Sequence, residues 1–343
     1  MFIFIVRMPF TQNKKILNYF KQTRNRSKQK ILCKAPFVSM SIDVTGFASP
    51  CCYIHSQTAY FTGNVCRYPD MSLREIWKGH VFESYRKQMR KFVFPSECEI
   101  CRRRLSEDPE KFSKIDEYKP YRINKKFPRI IEFTLDNNCN LECIMCNSVH
   151  SSKIARSRQV SRQTTIATQS IIEEMKYFIP HLEMVVFSGG EPFLSKVNIE
   201  LMNMILSVNS NCHIAVNTNG TILTDEIRVL LEKGNFHLNI SIDSITKETY
   251  EKIRQGAKFE TLCSNLRYFK SYSQKKKIPI TIPVCPLLLN YKEIPDLLEY
   301  CNNNNFFIQF VHVFNAHSIA LSSGSAVMIE DAIRFYENVK TSG

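Results

Sequence analysis

The sequence predicts an α/β protein: a parallel sheet curled into a partial barrel, preceded by a small cysteine-rich α+β module. Three observations predict it. From residue 129 onward, short apolar runs alternate with amphipathic helical segments without a break. Six cysteines crowd the stretch from Cys33 to Cys101. A further triple, Cys139-x3-Cys143-x2-Cys146, stands just past the first apolar run of the alternating part. Loops at the C-terminal ends of strands are where α/β barrels carry their chemistry. A chain of 343 residues, 44% hydrophobic and 23% charged, can hold one large domain plus a small one.

Residues 1–30 read as a basic, flexible arm, with Lys14-Lys15 and Lys28-Gln-Lys30 among its charges. The net charge of +14 belongs to the N-terminal third. Residues 1–130 carry 26 Lys+Arg against 11 Asp+Glu, whereas the rest carries 20 against 21. Such an arm could meet nucleic acid, an anionic membrane face or an acidic peptide. No aromatic platform interleaves the charges, so a solvated tail is the first reading and nucleic acid is not the expected partner. The opening Met1-Phe-Ile-Phe-Ile-Val-Arg7 is too short for a signal-peptide core. No stretch approaches the roughly 18 apolar residues of a membrane span. Thirteen cysteines with close pairs then favour metal over disulfides, and the expected location is cytoplasmic.

The module spans residues 31–105. Val38–Asp43 alternates as a strand, Gly46 makes a turn, and the next strand begins near Cys51, which brings Cys33 close to Cys51. Leu73, Ile76 and Trp77 form one apolar helical stripe, read as core. Cys98-Glu-Ile-Cys101 closes the site from a distant loop. Four such thiolates can bind zinc or a [4Fe–4S] cluster, and the spacing does not choose between them. Cys52 could stand in for Cys51, and Cys66 reads as a buried thiol. Residues 106–128 are polar and Pro-containing, the expected linker.

The barrel covers 129–343. Its strands are expected at 129–135, 184–187, 213–217, 238–242, 280–284 and 307–313. Helices fall at 164–178, 199–208, 225–233, 247–253 with 259–272, 294–301 and 326–339. After the second strand comes Ser188-Gly-Gly-Glu-Pro192, where two glycines permit close approach of backbone to a ligand and Glu191 can accept hydrogens from an ammonium. Alone, such a turn is an ordinary strand-to-helix connection. Asn217-Thr-Asn219-Gly220 reads as a strand end with a turn. Ser241 and Asp243 alternate with Ile240 and Ile242, which puts both polar residues on the barrel interior. His312 reads as a core histidine, Met145 as packing, and Cys212, Cys263, Cys285 and Cys301 as small apolar residues.

Cys139, Cys143 and Cys146, with Gly189-Gly-Glu-Pro192 downstream, resemble the core of the radical S-adenosylmethionine (radical SAM) enzymes. The resemblance implies a (β/α)6 TIM-type barrel. It implies a [4Fe–4S] cluster held by the three cysteines, its fourth iron open to S-adenosylmethionine. One electron from that cluster would cleave the sulfonium and give a 5′-deoxyadenosyl radical that abstracts hydrogen from a substrate. A reductant such as flavodoxin or ferredoxin is implied too. Gly189, Gly190, Glu191 and Pro192 would receive the methionine ammonium. Asn219 and Ser241 would face the cofactor, Asp243 the cofactor or substrate, and Arg254 would clamp a carboxylate with its fork. Asn290 would present a polar group to the cofactor.

Cys33-x12-Gly46-x4-Cys51, Trp77, Arg86 and Cys98-x2-Cys101 look similar to the SPASM/twitch auxiliary-cluster module of the same enzymes. That module ordinarily follows the barrel and in full has seven cysteines. Here it precedes the barrel and lacks the later ones, which implies a single auxiliary [4Fe–4S] cluster on Cys33, Cys51, Cys98 and Cys101. Modules of this kind often go with peptide or protein substrates. Two other classes stay open on the residues alone. One is an iron–sulfur electron-transfer or scaffold protein without turnover. The other is a zinc-dependent nucleic-acid-binding protein in which His150 completes the cysteine triple.

Overall fold

The computed structural model describes residues 31–341 apart from 55, 108–113, 125, 161–165, 167, 312 and 314–315. The basic arm and His312 lie outside the described residues. Two compact units emerge: 31–42 with 46–132, and 43–45 with 133–341. No helix among the described residues is long and apolar enough to cross a membrane.

The first unit opens with a short helix α1 (Ala35–Val38) and a hairpin of β1 (Ser39–Ile42) and β2 (Ala48–Ser49), antiparallel with Ser41 opposite Ser49. Gly46, at φ 84°, takes the left-handed conformation of the turn. β2 stops after two residues, so Cys51 lies beyond the strand rather than at the start of a longer one. Helices α2 (Ser56–Thr62), α3 (Leu73–Lys78) and α4 (His80–Arg90) follow. Ser72 opens α3 with a capping box: its hydroxyl accepts from Glu75 N, and Glu75 accepts from Ser72 N. The apolar stripe Leu73, Ile76 and Trp77 is buried.

Arg86 organises this unit. It is 7% exposed, donates to the carbonyls of Pro36 (2.9 Å) and Trp77 (2.8 Å), and lies 4.5 Å over the Trp77 ring. Cys98 ends a 3-10 turn (Ser96–Cys98) and Cys101 sits on α5 (Glu99–Glu107), so this pair rides a helix start instead of a loop. The segment expected to be linker contains α6 (Lys114–Glu117). A local run of Lys, Ile, Asp and Glu is too short to announce a helix, and burial of Ile115 and Tyr118 holds it.

β3 (Ile130–Phe133) is where the chain passes into the second unit. There β4 (Met184–Phe187), β5 (His213–Thr218), β6 (Phe236–Ile240), β7 (Thr281–Val284) and β8 (Phe307–Phe310) follow one another across the sheet in sequence order. Pairing is parallel from β4 to β8. The order is open and ends at β8, which makes the barrel partial. Helices α7 (Ser152–Ser157) and α8 (Gln169–Phe178) separate β3 from β4, and α9 (Lys196–Val208) and α10 (Asp225–Lys233) the next two pairs. α11 (Lys247–Ile253) with α12 (Phe259–Lys276), and α13 (Ile294–Asn303), complete the alternation before α14 (Ala326–Thr341).

β6 runs two residues earlier than expected. Tyr272 of α12 receives Phe236 N at 2.8 Å and fixes the strand's start, and pairing with β5 ends at Thr218–Ile240 because β5 turns at Gly220. Ser241 and Asp243 therefore sit in the loop beyond the strand rather than on its inner face.

Arg86→Met should lower the stability of the first unit by about 3 kcal/mol, because two buried carbonyls lose their donor. Trp77 is the only tryptophan in the chain. Fluorescence-monitored urea unfolding therefore reads this unit alone, and an unshifted midpoint would exclude the role given to Arg86.

Candidate functional site

The loop after β3 carries Cys139, Cys143 and Cys146, and it is fastened on three sides. The Ser188–Glu191 turn after β4 packs on its first half. Gly190 N donates to Asp136 O (3.3 Å) and Glu191 N to Asn138 O (2.7 Å). A Cβ on Gly190 would stand 2.2 Å from Asn138 O, and one on Gly189 (φ 120°) 2.7 Å from Asp136 O. The glycines are thus required by the cysteine loop itself, where closeness to a ligand was expected. The start of α7 holds the middle: Ser152 Oγ accepts from Cys139 N (3.2 Å) and Ser151 Oγ donates to Leu141 O (2.7 Å). The far half pairs with the segment after α11, Glu142 N to Gln255 O (2.8 Å) and Ile144 N to Ile253 O (2.9 Å).

Cys143 is buried, and Cys139 and Cys146 are half-buried. Burial pushes the Cys139 thiol up to about 11, with the charges of Cys143, Glu191 and Cys146 adding to it, and raises Cys143 and Cys146 as well. Metal binding at such thiols must release protons. Among the described residues, no three His, Cys, Asp or Glu side chains gather tightly enough for a single metal ion. A tetrahedral zinc needs each sulfur about 2.3 Å from one centre, whereas a cubane cluster takes each thiolate on a different iron. Three thiols on one loop fit the second requirement. His150, the candidate fourth zinc ligand, is desolvated, with Asp43 as its charged neighbour.

Several expected ligand-facing groups are engaged within the protein. Glu191 is fully buried. Its carboxylate accepts from Asn219 N (2.7 Å), Phe193 N (3.1 Å) and the Thr218 hydroxyl at both oxygens (2.9 and 3.0 Å). Burial pushes this carboxyl up to about 7, against the hydrogen bonds that pull it down. It ties the end of β5 to the Gly-Gly turn. Pro192 is buried and starts the following 3-10 turn. Asn219 donates to Asn140 Oδ1 (2.9 Å) and accepts from Thr221, joining the β5 turn to the cysteine loop. Asn290, also fully buried, donates to the carbonyls of Asp243 (2.8 Å) and Cys285 (3.0 Å) and accepts from Leu287 N. It braces a loop instead of facing a cofactor.

Arg254 and Asp243 meet each other. Arg254 Nη2 lies 2.7 Å from Asp243 Oδ2 as an ion pair outside hydrogen-bond alignment, since Oδ2 has no hydrogen-bond partner. Asp243 Oδ1 accepts from Cys285 N (2.8 Å), and Arg254 Nη1 points at Cys143 Sγ, 3.8 Å away. Ser241 is half-buried, its N–H on Thr218 O. Met145 packs beside Ile253, Leu287, Val313 and Ala320, as an apolar filler should. Sequence reasoning missed a polar row across the strand ends. Asn217 donates to Ser188 Oγ (2.5 Å) and Asn239 donates to Asn217 Oδ1 (2.7 Å). Asn239 precedes Ser241 by two, so the period-two rule that singled out Ser241 contained this signal.

In the first unit Cys33, Cys51, Cys98 and Cys101 all line one cavity, walled by apolar groups such as Ile54, Met89 and Phe94. Burial pushes the Cys33 thiol up to about 12 and Cys101 up to about 11, and it raises Cys98 as well, with Cys33 and Cys101 adding to it. Cys51, not Cys52, forms the wall, and its side chain together with burial raises the Cys52 thiol. Cys66 donates to Ala48 O (3.2 Å) and is the buried thiol expected. Lys114 borders the cavity; burial opposes its charge, but Cys52, Glu117 and Glu132 outweigh it and hold the ammonium well above its ordinary range.

Comparison with known proteins gives two family matches: the radical SAM superfamily over residues 134–301, and an iron–sulfur cluster-binding domain, SPASM, over residues 33–102. Among curated relatives are a probable GTP 3′,8-cyclase of Methanocaldococcus jannaschii, 26% identical over 53% of this chain and 58% of that protein, and a GTP 3′,8-cyclase of Aliarcobacter butzleri, 25% identical over 62% and 64%. The chain therefore spans about six-tenths of the length of these relatives. Among solved structures, Streptococcus suis SuiB bound to S-adenosylmethionine is 13% identical with a TM-score of 0.47, covering 78% of this chain and 59% of that one. The AdoMet-bound anSMEcpe is 20% identical with a TM-score of 0.43, over 54% and 52%. With the cysteine loop on the strand end and the second cysteine site ahead of it in sequence, residues 134–301 of the chain form a radical SAM superfamily domain and residues 33–102 a SPASM iron–sulfur domain.

Proposed function

We propose that the chain is a radical SAM enzyme acting on a peptide or protein substrate, with its SAM-binding [4Fe–4S] cluster on Cys139, Cys143 and Cys146 and an auxiliary cluster on Cys33, Cys51, Cys98 and Cys101. The observation that carries the cluster reading is the cysteine loop, three thiols fixed by the Gly189–Gly190 turn, α7 and the 253–255 segment. Bound there, the cluster and S-adenosylmethionine would supply one-electron reductive chemistry and hydrogen abstraction from the substrate.

The residues of the chain bind, orient and exclude water. With the Glu191 carboxylate engaged, main-chain carbonyls of the Gly-Gly turn are left to accept the methionine ammonium. Ser241, half-buried beyond β6, and the Ser188–Asn217–Asn239 row supply hydroxyl and amide groups toward ribose and substrate. Asn219 acts by holding Asn140 of the cysteine loop. The auxiliary site's apolar wall suits a cluster kept from water, and its four thiolates suit a full set of protein ligands. For the substrate, the support is the SPASM match together with the basic balance of residues 1–130, which suits an acidic peptide. A nucleoside triphosphate is the second reading, favoured by the GTP 3′,8-cyclase name of the relatives. Incubation with GTP as sole substrate decides between them: consumption of GTP would displace the peptide reading.

Anaerobic reconstitution, reduction with dithionite and addition of S-adenosylmethionine should yield 5′-deoxyadenosine by mass spectrometry, and Cys139→Ala should yield none. Product from Cys139→Ala equal to wild type would exclude the cluster assignment. Gly190→Ala should abolish product as well, because its Cβ would drive the turn off Asn138 O. Cys98→Ala should cut reconstituted iron to about half, one of two clusters remaining. Zinc in place of iron at that site would leave the wild-type iron content already at one cluster.

A further inference from the structure

We infer that Arg254 is a positioning residue for the cluster ligand Cys143, setting the cluster's reduction potential through an N–H···S bond, and is not a clamp for a ligand carboxylate. This rests on the cluster reading above. The placement begins in the backbone. Ile253 and Gln255 accept Ile144 N and Glu142 N, so Arg254 and Cys143 are the central residues of two paired segments. Their side chains meet, Nη1 to Sγ at 3.8 Å. The guanidinium is only 9% exposed by residue, and its other terminal nitrogen faces Asp243 Oδ2 at 2.7 Å. Asp243 is held in turn by Cys285 N on its side chain and Asn290 Nδ2 on its carbonyl. A carboxylate clamp needs the fork free and facing the ligand. Here Nη1 faces Cys143 Sγ and Nη2 faces Asp243 Oδ2 inside the protein, and Nε is buried without a hydrogen-bond partner.

A buried cation that donates to a cluster thiolate stabilises the more negative, reduced cluster and so raises its potential; hydrogen bonds to sulfur and local charge are among the factors that set such potentials. The Asp243 carboxylate neutralises the pair overall and fixes the direction of the guanidinium, which leaves the donated N–H as the main local influence on Sγ.

The test uses the full chain, reconstituted anaerobically, with the midpoint potential followed by EPR. The cluster concerned is the one whose spectrum changes when S-adenosylmethionine is added. Arg254→Met alone would strand a buried carboxylate, so the variants are Arg254→Lys and the neutral double variant Asp243→Asn/Arg254→Met. The double variant should shift the ratio of reduced to oxidised cluster at fixed potential at least tenfold toward oxidised, which is about 59 mV for one electron. Arg254→Lys, keeping the charge and losing the fork, should fall between, and binding of S-adenosylmethionine should stay close to wild type in both. An unchanged midpoint in whichever variants load iron overturns the inference and leaves the cluster reading intact. Loss of S-adenosylmethionine binding at unchanged potential restores the carboxylate clamp. Wild type that takes up no cluster responsive to S-adenosylmethionine removes the cluster reading itself.

Discussion

The second unit depends on how little space separates the Gly189–Gly190 turn from the backbone of Asp136–Asn138. Cysteines spaced three and two apart on a free loop would sample many arrangements, and ordering them costs about 1–2 kcal/mol per residue in backbone entropy. Here that ordering is accomplished by folding. The loop is pinned by the β4 turn on one side, by the paired 253–255 segment on the other, and by the hydroxyls that open α7 between them. Since a Cβ at residue 190 would lie 2.2 Å from Asn138 O, the glycine pair and the cysteine loop form a single packed unit, and a change in either displaces both.

Around this unit most of the polar side chains serve as support. Glu191 stitches β5 to the turn, Asn219 reaches Asn140, Asn290 braces Asp243 and Cys285, and Asp243 holds Arg254. Buried polar groups are tolerable when satisfied, and Glu191, Asn219 and Asn290 find partners across loops far apart in sequence, whereas Asp243 Oδ2 and Arg254 Nε have no hydrogen-bond partner. The arrangement suits chemistry carried by cofactors, where the protein's contribution is orientation, local charge and a dry setting.

The first unit solves a similar problem with less secondary structure. Its four cavity cysteines come from two residues before α1, the loop after β2, the end of a 3-10 turn and α5, and apolar side chains wall the space between. Arg86, tied to Pro36 and stacked on Trp77, keeps the start of α1 close to the α3–α4 corner, and Cys33 with it. Lys114 borders the same cavity and pairs with Glu117 at 2.6 Å.

The α/β alternation was legible in the sequence because strand and helix periods differ. β4, α10 and α11 fall where the pattern puts them, and the cysteine spacing with the Gly-Gly-Glu-Pro turn marked the site and its family. Helix starts and strand ends moved where tertiary contacts set them: β6 begins early because Tyr272 receives Phe236 N, and α6 exists only because its apolar residues find a buried place. The direction of polar side chains was not legible at all. Glu191, Asp243, Arg254 and Asn290 look ligand-facing from position alone. Each of them has a partner tens of residues away in sequence, and such pairings leave no periodic trace. What the residues fixed by themselves was which chemical groups the site contains; only the folded chain decided which of them are spent on holding it together, because a buried charge or amide must take the nearest partner that folding brings to it.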